Sequence, residues 1–108
     1  MYNEVEKSFL RFKVTKGNSL ILNPIHANEF LDECEKLGYI ILGIDSFFVS
    51  NKVTRPSLEN SLDFTNYKFA TKDEMYAFAR KFVEQRKNLN LRFEIICTPD
   101  MTNMVNER

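Results

Sequence analysis

Little in this chain advertises chemistry. Its three glycines, Gly17, Gly38 and Gly43, stand at unrelated places, so no run of exposed backbone amides is available to cradle a phosphate. A single histidine, His26, and two distant cysteines, Cys34 and Cys97, fall short of the roughly four closely spaced ligands of a structural zinc site. Ser57 and Ser61 lack the flanking glycines of a nucleophile elbow. The expectation is a protein with no catalytic residue, no metal site and no cofactor. Apolar runs are short of the ~20 residues that span a membrane. The opening Met1-Tyr2-Asn3-Glu4-Val5-Glu6-Lys7 has neither the basic start nor the apolar centre of a secretory leader, so a cytoplasmic protein without a membrane partner is expected. An excess of one charge is missing too: 15 Lys and Arg stand against 15 Asp and Glu. No global field draws the chain to nucleic acid, and aromatic residues are not interleaved with Lys and Arg along any one strand.

What is present is the material of one packed domain. The 108 residues include ten Phe and four Tyr, enough for a single core. The domain is expected over residues 1–98, with 99–108 as a polar tail. Cys34 and Cys97 each fall on an apolar face and read as reduced core thiols.

Leu10, Phe12 and Val14 alternate with Arg11 and Lys13, Lys16-Gly17-Asn18 has turn chemistry, and Ser19 to Leu22 is again extended, which predicts an N-terminal hairpin as the simplest reading, with a short helix starting in residues 3–9 as the alternative. Asn23 in capping position and Pro24 at the first helical position open a helix whose stripe is Ala27, Phe30, Leu31, Cys34 and Leu37, and Gly38 ends it. Residues 39–44 are apolar at both parities and predict a central strand covered on both faces. Phe47-Phe48-Val49 continues that strand past a bend or forms a second one. After the turn at 50–52, Pro56 argues against a central strand, and Leu62 and Phe64 flanking Asp63 suggest a short one. Thr71-Lys72-Asp73-Glu74 is a capping box opening a second helix with Met75, Phe78, Ala79, Phe82 and Val83 on its stripe. Leu91, Phe93, Ile95 and Cys97 alternate in a last strand. The sum is an α+β two-layer sandwich: a mixed or antiparallel sheet with two helices on one face, built on a ferredoxin-like split βαβ core plus the N-terminal hairpin strand.

The polar groups between Gly43 and Phe64 are the strongest candidates for function. Asp45, Ser46, Glu59 and Asp63 sit among apolar residues. Asp45, Glu59 and Asp63 can anchor turns, meet a partner, or converge on a divalent cation. On the first helix Asp32 and Glu33, with Glu29 and Glu35, face away from the apolar stripe with only Lys36 opposing them, and offer an anionic patch to a basic partner. His26 in the first turn has no nucleophile beside it in sequence and reads as a surface or half-packed histidine.

Asn23-Pro24 opening a helix with Ala27, Phe30, Cys34 and Gly38, then Ile41-Leu42-Gly43-Ile44-Asp45-Ser46-Phe47, Pro56-Ser57-x-Glu59-x-Ser61-x-Asp63 and the terminal Phe93-Glu94-Ile95, resembles small bacterial immunity proteins of polymorphic toxin systems, the group numbered forty among immunity families. The likeness runs over about residues 20–97. It implies a non-enzymatic protein that binds and neutralises a cognate toxin domain, with Asp45, Ser46, Glu59, Asp63, Asp32 and Glu33 as partner-binding residues. Two other classes stay open: a small metal-dependent enzyme built on Asp45, Glu59 and Asp63, and a structural or homodimerising domain.

Overall fold

A computed structural model describes residues 1–51 and 53–101; Lys52, in the turn expected at 50–52, and most of the expected tail, 102–108, lie outside them. The chain is an α+β two-layer structure with two long helices on one face of an antiparallel sheet. The elements are α1 (Glu4–Lys7), α2 (Pro24–Leu37), β1 (Ile40–Val49), β2 (Thr54–Pro56), β3 (Leu62–Asp63), α3 (Lys72–Arg86) and β4 (Leu91–Thr98). Among the described residues no helix is long and apolar enough to cross a membrane.

β1 and β4 form the long antiparallel pair, in register from Ile40↔Thr98 to Phe48↔Leu91. With β4 along one edge of β1, the other edge is shared by β2, opposite Phe47 to Val49, and β3, opposite Gly43 and Ile44. Pro56, barred from a central strand, sits on this edge. Phe47 to Val49 belongs to β1, which bends at a bulge between Ile41 and Gly43. Gly43 suits this close approach, since a Cβ would lie 3.0 Å from the Leu62 carbonyl oxygen of β3, tighter than an ordinary contact.

The inward row of β4, Leu91, Phe93, Ile95 and Cys97, is buried with Ile41 and Ile44 of β1 against Ala27, Phe30, Leu31 and Cys34 of α2 and Met75, Tyr76, Ala79, Phe82 and Val83 of α3. α2 follows its predicted stripe except at Leu37, which is exposed in the last turn. Asn23 holds the N-cap position but makes no side-chain capping bond, whereas Gly38 does take the left-handed conformation, φ 72°. α3 begins at Thr71, whose hydroxyl accepts the Glu74 amide, while the Glu74 carboxylate turns back to the amide of Ala70.

The N-terminal hairpin strand is replaced by α1, capped reciprocally by Asn3 and Glu6, and a 3₁₀ turn at Leu10–Phe12. The reason is aromatic. A strand would send Phe9 and Phe12 to opposite faces, but residues three apart in a 3₁₀ turn point the same way. Phe9 thereby meets Phe30 edge-on at 5.3 Å and Phe12 stacks on His26 at 3.9 Å. What survives of the hairpin is one bond, from the Val14 amide to the Ile21 carbonyl, and a single bridge from Leu22 to Phe93 of β4. That bridge puts Leu22 and β1 on either side of β4, so the split βαβ connection exists in reduced form. Its strand order places β1 and β4, the second and fifth extended segments after the Leu22 bridge is counted as the first, side by side at the centre.

Candidate functional site: the open face of the sheet

Both helices cover one face of the sheet, and the other stays open. The two-sided cover expected for residues 39–44 is therefore not found: Ile40 and Leu42 are half-buried on the uncovered side. Asp45 is exposed there, directly opposite Glu94 across the β1–β4 pair. Neither carboxylate has an ion-pair partner among the described residues. Burial, and then the nearby charge of Asp45, push the Glu94 carboxyl above its ordinary range. Beside the pair lies a shallow hollow of about 420 Å³, lined by Leu42, Asp45, Leu58, Asp63 and Ile96. Leu58 lifts its side chain over this hollow and is 83% exposed.

Asp63 shares the hollow with Asp45, but one of its oxygens is engaged, accepting the Thr65 hydroxyl at 2.6 Å and the Thr65 amide at 2.9 Å. Those two bonds, the hydroxyl's first, hold its carboxyl below the usual range. Glu59 does not join them. It lines a separate cleft against α3, with Tyr67, Phe78, Lys81, Phe82 and Arg86. The three carboxylates thus fail to converge, and among the described residues no group of three His, Cys, Asp or Glu side chains is placed to hold a metal ion.

Ser46 has no surface to offer, being 0% exposed. Its hydroxyl donates to the Asn60 carbonyl and its amide to Ser61 Oγ at 2.9 Å. Ser61 Oγ in turn donates to the Ser57 carbonyl at 2.8 Å, and the Ser57 amide to the Ser46 carbonyl at 2.8 Å. These serines splice the 3₁₀ turn Leu58–Asn60 into the sheet edge between β2 and β3. They supply the backbone partners that a continuous edge strand would have supplied, and so hold Leu58 out over the open face.

Asp32 and Glu33 are in the helix layer, on the far side of the sheet from Asp45. Arg80 of α3 offsets part of that charge, bonding Asp32 at 2.7 and 3.1 Å and Glu35 at 2.5 Å. Glu33 is half-buried. The anionic patch foreseen on α2 therefore carries its own counter-charge, supplied by a residue 48 positions away from Asp32. His26 pairs with Glu29 through Nδ1 at 3.3 Å and is stacked on Phe12, as a half-packed histidine would be.

Glu94, Leu58 and Ile96 are the members of this surface that sequence reasoning missed. Glu94 had a signal, an acid at an outward position of an alternating strand, but its neighbour depends on a register that joins residues 45 and 94. No protein-family model matches the chain, and no curated protein matches it.

Proposed function

We propose that this chain is a non-enzymatic binding protein of the immunity type, which neutralises a cognate bacterial toxin domain in the cytoplasm by covering it with the open face of its sheet. The observation that carries the reading is the Asp45–Glu94 pair. Like charges directly opposite on neighbouring strands destabilise a sheet, and here no cation among the described residues pairs with either of them. A Lys or Arg from a partner would relieve them, while an apolar side chain of the partner would cover Leu58 and Ile96. An apolar centre with a charged margin is the usual anatomy of such an interface. The partner is thus a protein surface with a basic side chain next to an apolar one.

The metal-dependent enzyme loses its support because Glu59 stands in a different cleft from Asp45 and Asp63. The test of the binding reading is coexpression of the chain with toxins encoded immediately upstream of it, followed by titration of the purified pair. Rescue of growth that is lost in an Asp45→Asn, Glu94→Gln double variant supports it. Failure of every such toxin to bind the folded wild-type chain overturns it.

A further inference from the structure

Phe78, Lys81, Phe82, Gln85 and Arg86 follow one another at helical spacing along α3 and so share one side of it. Between that side and the turns at Leu58–Asn60 and Phe64–Asn66 lies a cleft of about 410 Å³, with Glu59 and Tyr67 on the facing wall. Its inner wall is the helix layer, so it is a different place from the open face of the sheet.

Part of the lining is aromatic. Tyr67 is 44% exposed, with its ring 5.1 Å from that of Phe78 and stacked on Phe69 at 5.9 Å, and Phe78 is half-buried. These rings leave a flat apolar surface that the core does not cover. The rest of the lining is charged. Among the described residues neither Lys81 nor Arg86 has a carboxylate partner, and Glu59 has no cation. Arg86 is nevertheless held in one pose: its guanidinium lies over the Phe82 ring at 3.7 Å and its Nη1 donates to the Phe82 carbonyl at 3.1 Å. Stacked in this way, a planar guanidinium is oriented before any ligand arrives. Its Nε is the one buried side-chain polar atom among the described residues that lacks a hydrogen-bond partner. A donor kept from both water and an acceptor is destabilising, so the Nε–Nη2 edge of Arg86 is short of an oxygen. Two cations and one carboxylate leave the lining with an excess of positive charge.

We propose that this cleft is a binding site for a small aromatic monocarboxylate. The carboxylate meets the Nε–Nη2 edge of Arg86, whose fork matches its two oxygens, and the Lys81 ammonium adds to the attraction. The aryl ring lies against Tyr67 and Phe78. Glu59 on the facing wall repels a second negative charge and so limits the ligand to one. The volume is that of a small-molecule site, for which about 300–1,000 Å³ is usual. Nothing in this site depends on the toxin-binding reading.

The experiment is an amide NMR titration of the full, isotope-labelled chain with 3-phenylpropionate, and with 3-phenylpropanol and acetate as probes that keep only the ring or only the carboxylate. The expected result is a saturable set of shifts at Glu59, Tyr67 and along α3 from Phe78 to Arg86, with either control probe about tenfold weaker or more. Arg86→Gln should weaken 3-phenylpropionate by about tenfold, and the exposed substitution Lys81→Gln by a smaller factor, while Glu59→Gln should tighten it. Shifts that do not saturate, shifts confined to other parts of the chain, or an affinity unchanged in both folded cation variants would overturn the site. Equal binding of 3-phenylpropanol would overturn the part assigned to the carboxylate.

Discussion

The hydroxyl of Tyr76 donates a 2.6 Å hydrogen bond to the carbonyl of Tyr39, joining the middle of the helix layer to the residue that leads from α2 into β1. The bond lies inside the core, and burial above all pushes the Tyr76 hydroxyl up to about 12. Tyr76→Phe keeps the ring and removes the donor, leaving a buried carbonyl short of a partner. The expected cost is about 1–3 kcal/mol, read by denaturant unfolding. Because the folded chain holds this proton more tightly than the unfolded chain, stability should fall as pH rises from 10 to about 12. The Phe variant should show a shallower decline. An unchanged midpoint and an unchanged alkaline slope would show that the bond contributes nothing.

Ser46→Ala tests the serine splice at the sheet edge. It strands the Asn60 carbonyl, which receives the Ser46 hydroxyl, in a part-buried place. A loss of about 1–3 kcal/mol is expected, against changes within ~0.5 kcal/mol for Leu58→Ala on the exposed crest of the same turn. Equal effects at the two positions would contradict the division between a structural Ser46 and a free Leu58.

Phe30→Ala should destabilise by about 3–5 kcal/mol, since it empties the space where α2 meets both the sheet and Phe9. A loss below about 1 kcal/mol would contradict its place in the core.

α2, α3 and β4 could be read from the sequence because their signals are local: Pro24 and Gly38 bracket one helix, Thr71 opens the other, and Leu91 to Cys97 alternate strictly. In the N-terminal segment only the short helix at 4–7 was open to reading, as the alternative start at residues 3–9, and the 3₁₀ turn after it was not. Leu10, Phe12 and Val14 do alternate, but the anchors that decide its shape, Phe30 and His26, lie on α2, and tertiary aromatic contacts outweigh a weak local period. The candidate surface divides in the same way. Asp45 stands out in sequence as an acid beside a glycine in an apolar run, whereas its pairing with Glu94 and the neutralisation of Asp32 by Arg80 are long-range facts. The polar constellation after Gly43 was legible as unusual, yet its serines are used by the sheet edge, and only Asp45 and Asp63 reach the open face together.

Glu94 and Asp63 should bend the pH dependence of stability in opposite senses. Glu94 is held above its ordinary value of 4.5, so the folded chain binds that proton more tightly and stability falls as pH rises from the unfolded value through the folded one. Glu94→Gln should remove that decline, with a gain above it of roughly a few tenths of a kcal/mol for a half-buried group that solvent still screens. Asp63 is held below its ordinary value of 3.8, so its contribution is present above that value and disappears as pH falls through the lower one. Asp63→Asn should make acid unfolding less steep. Denaturant midpoints collected from acid to neutral pH decide both, and a Glu94→Gln curve parallel to wild type would remove the strain ascribed to the Asp45–Glu94 pair.

If the open face is the toxin-binding surface, substitutions there and in the helix layer should separate. Asp45→Asn and Leu58→Asp should leave the circular dichroism unchanged and weaken binding, by roughly 2 kcal/mol or more where the group is desolvated at the centre of the contact. Glu94→Gln should weaken it as well, because with one of the two like charges gone a partner cation has less repulsion to relieve. Asp32→Asn and Glu33→Gln lie on the opposite side of the molecule, and Arg80 retains Glu35 as a partner when Asp32 is lost. Their effect should be confined to a modest, salt-sensitive change in association rate. Calorimetry and surface-bound kinetics against the same toxin domain read both terms. Unchanged affinity at Asp45 and Leu58 would exclude the open face, and a larger loss at Asp32 or Glu33 would move the interface to the helix layer.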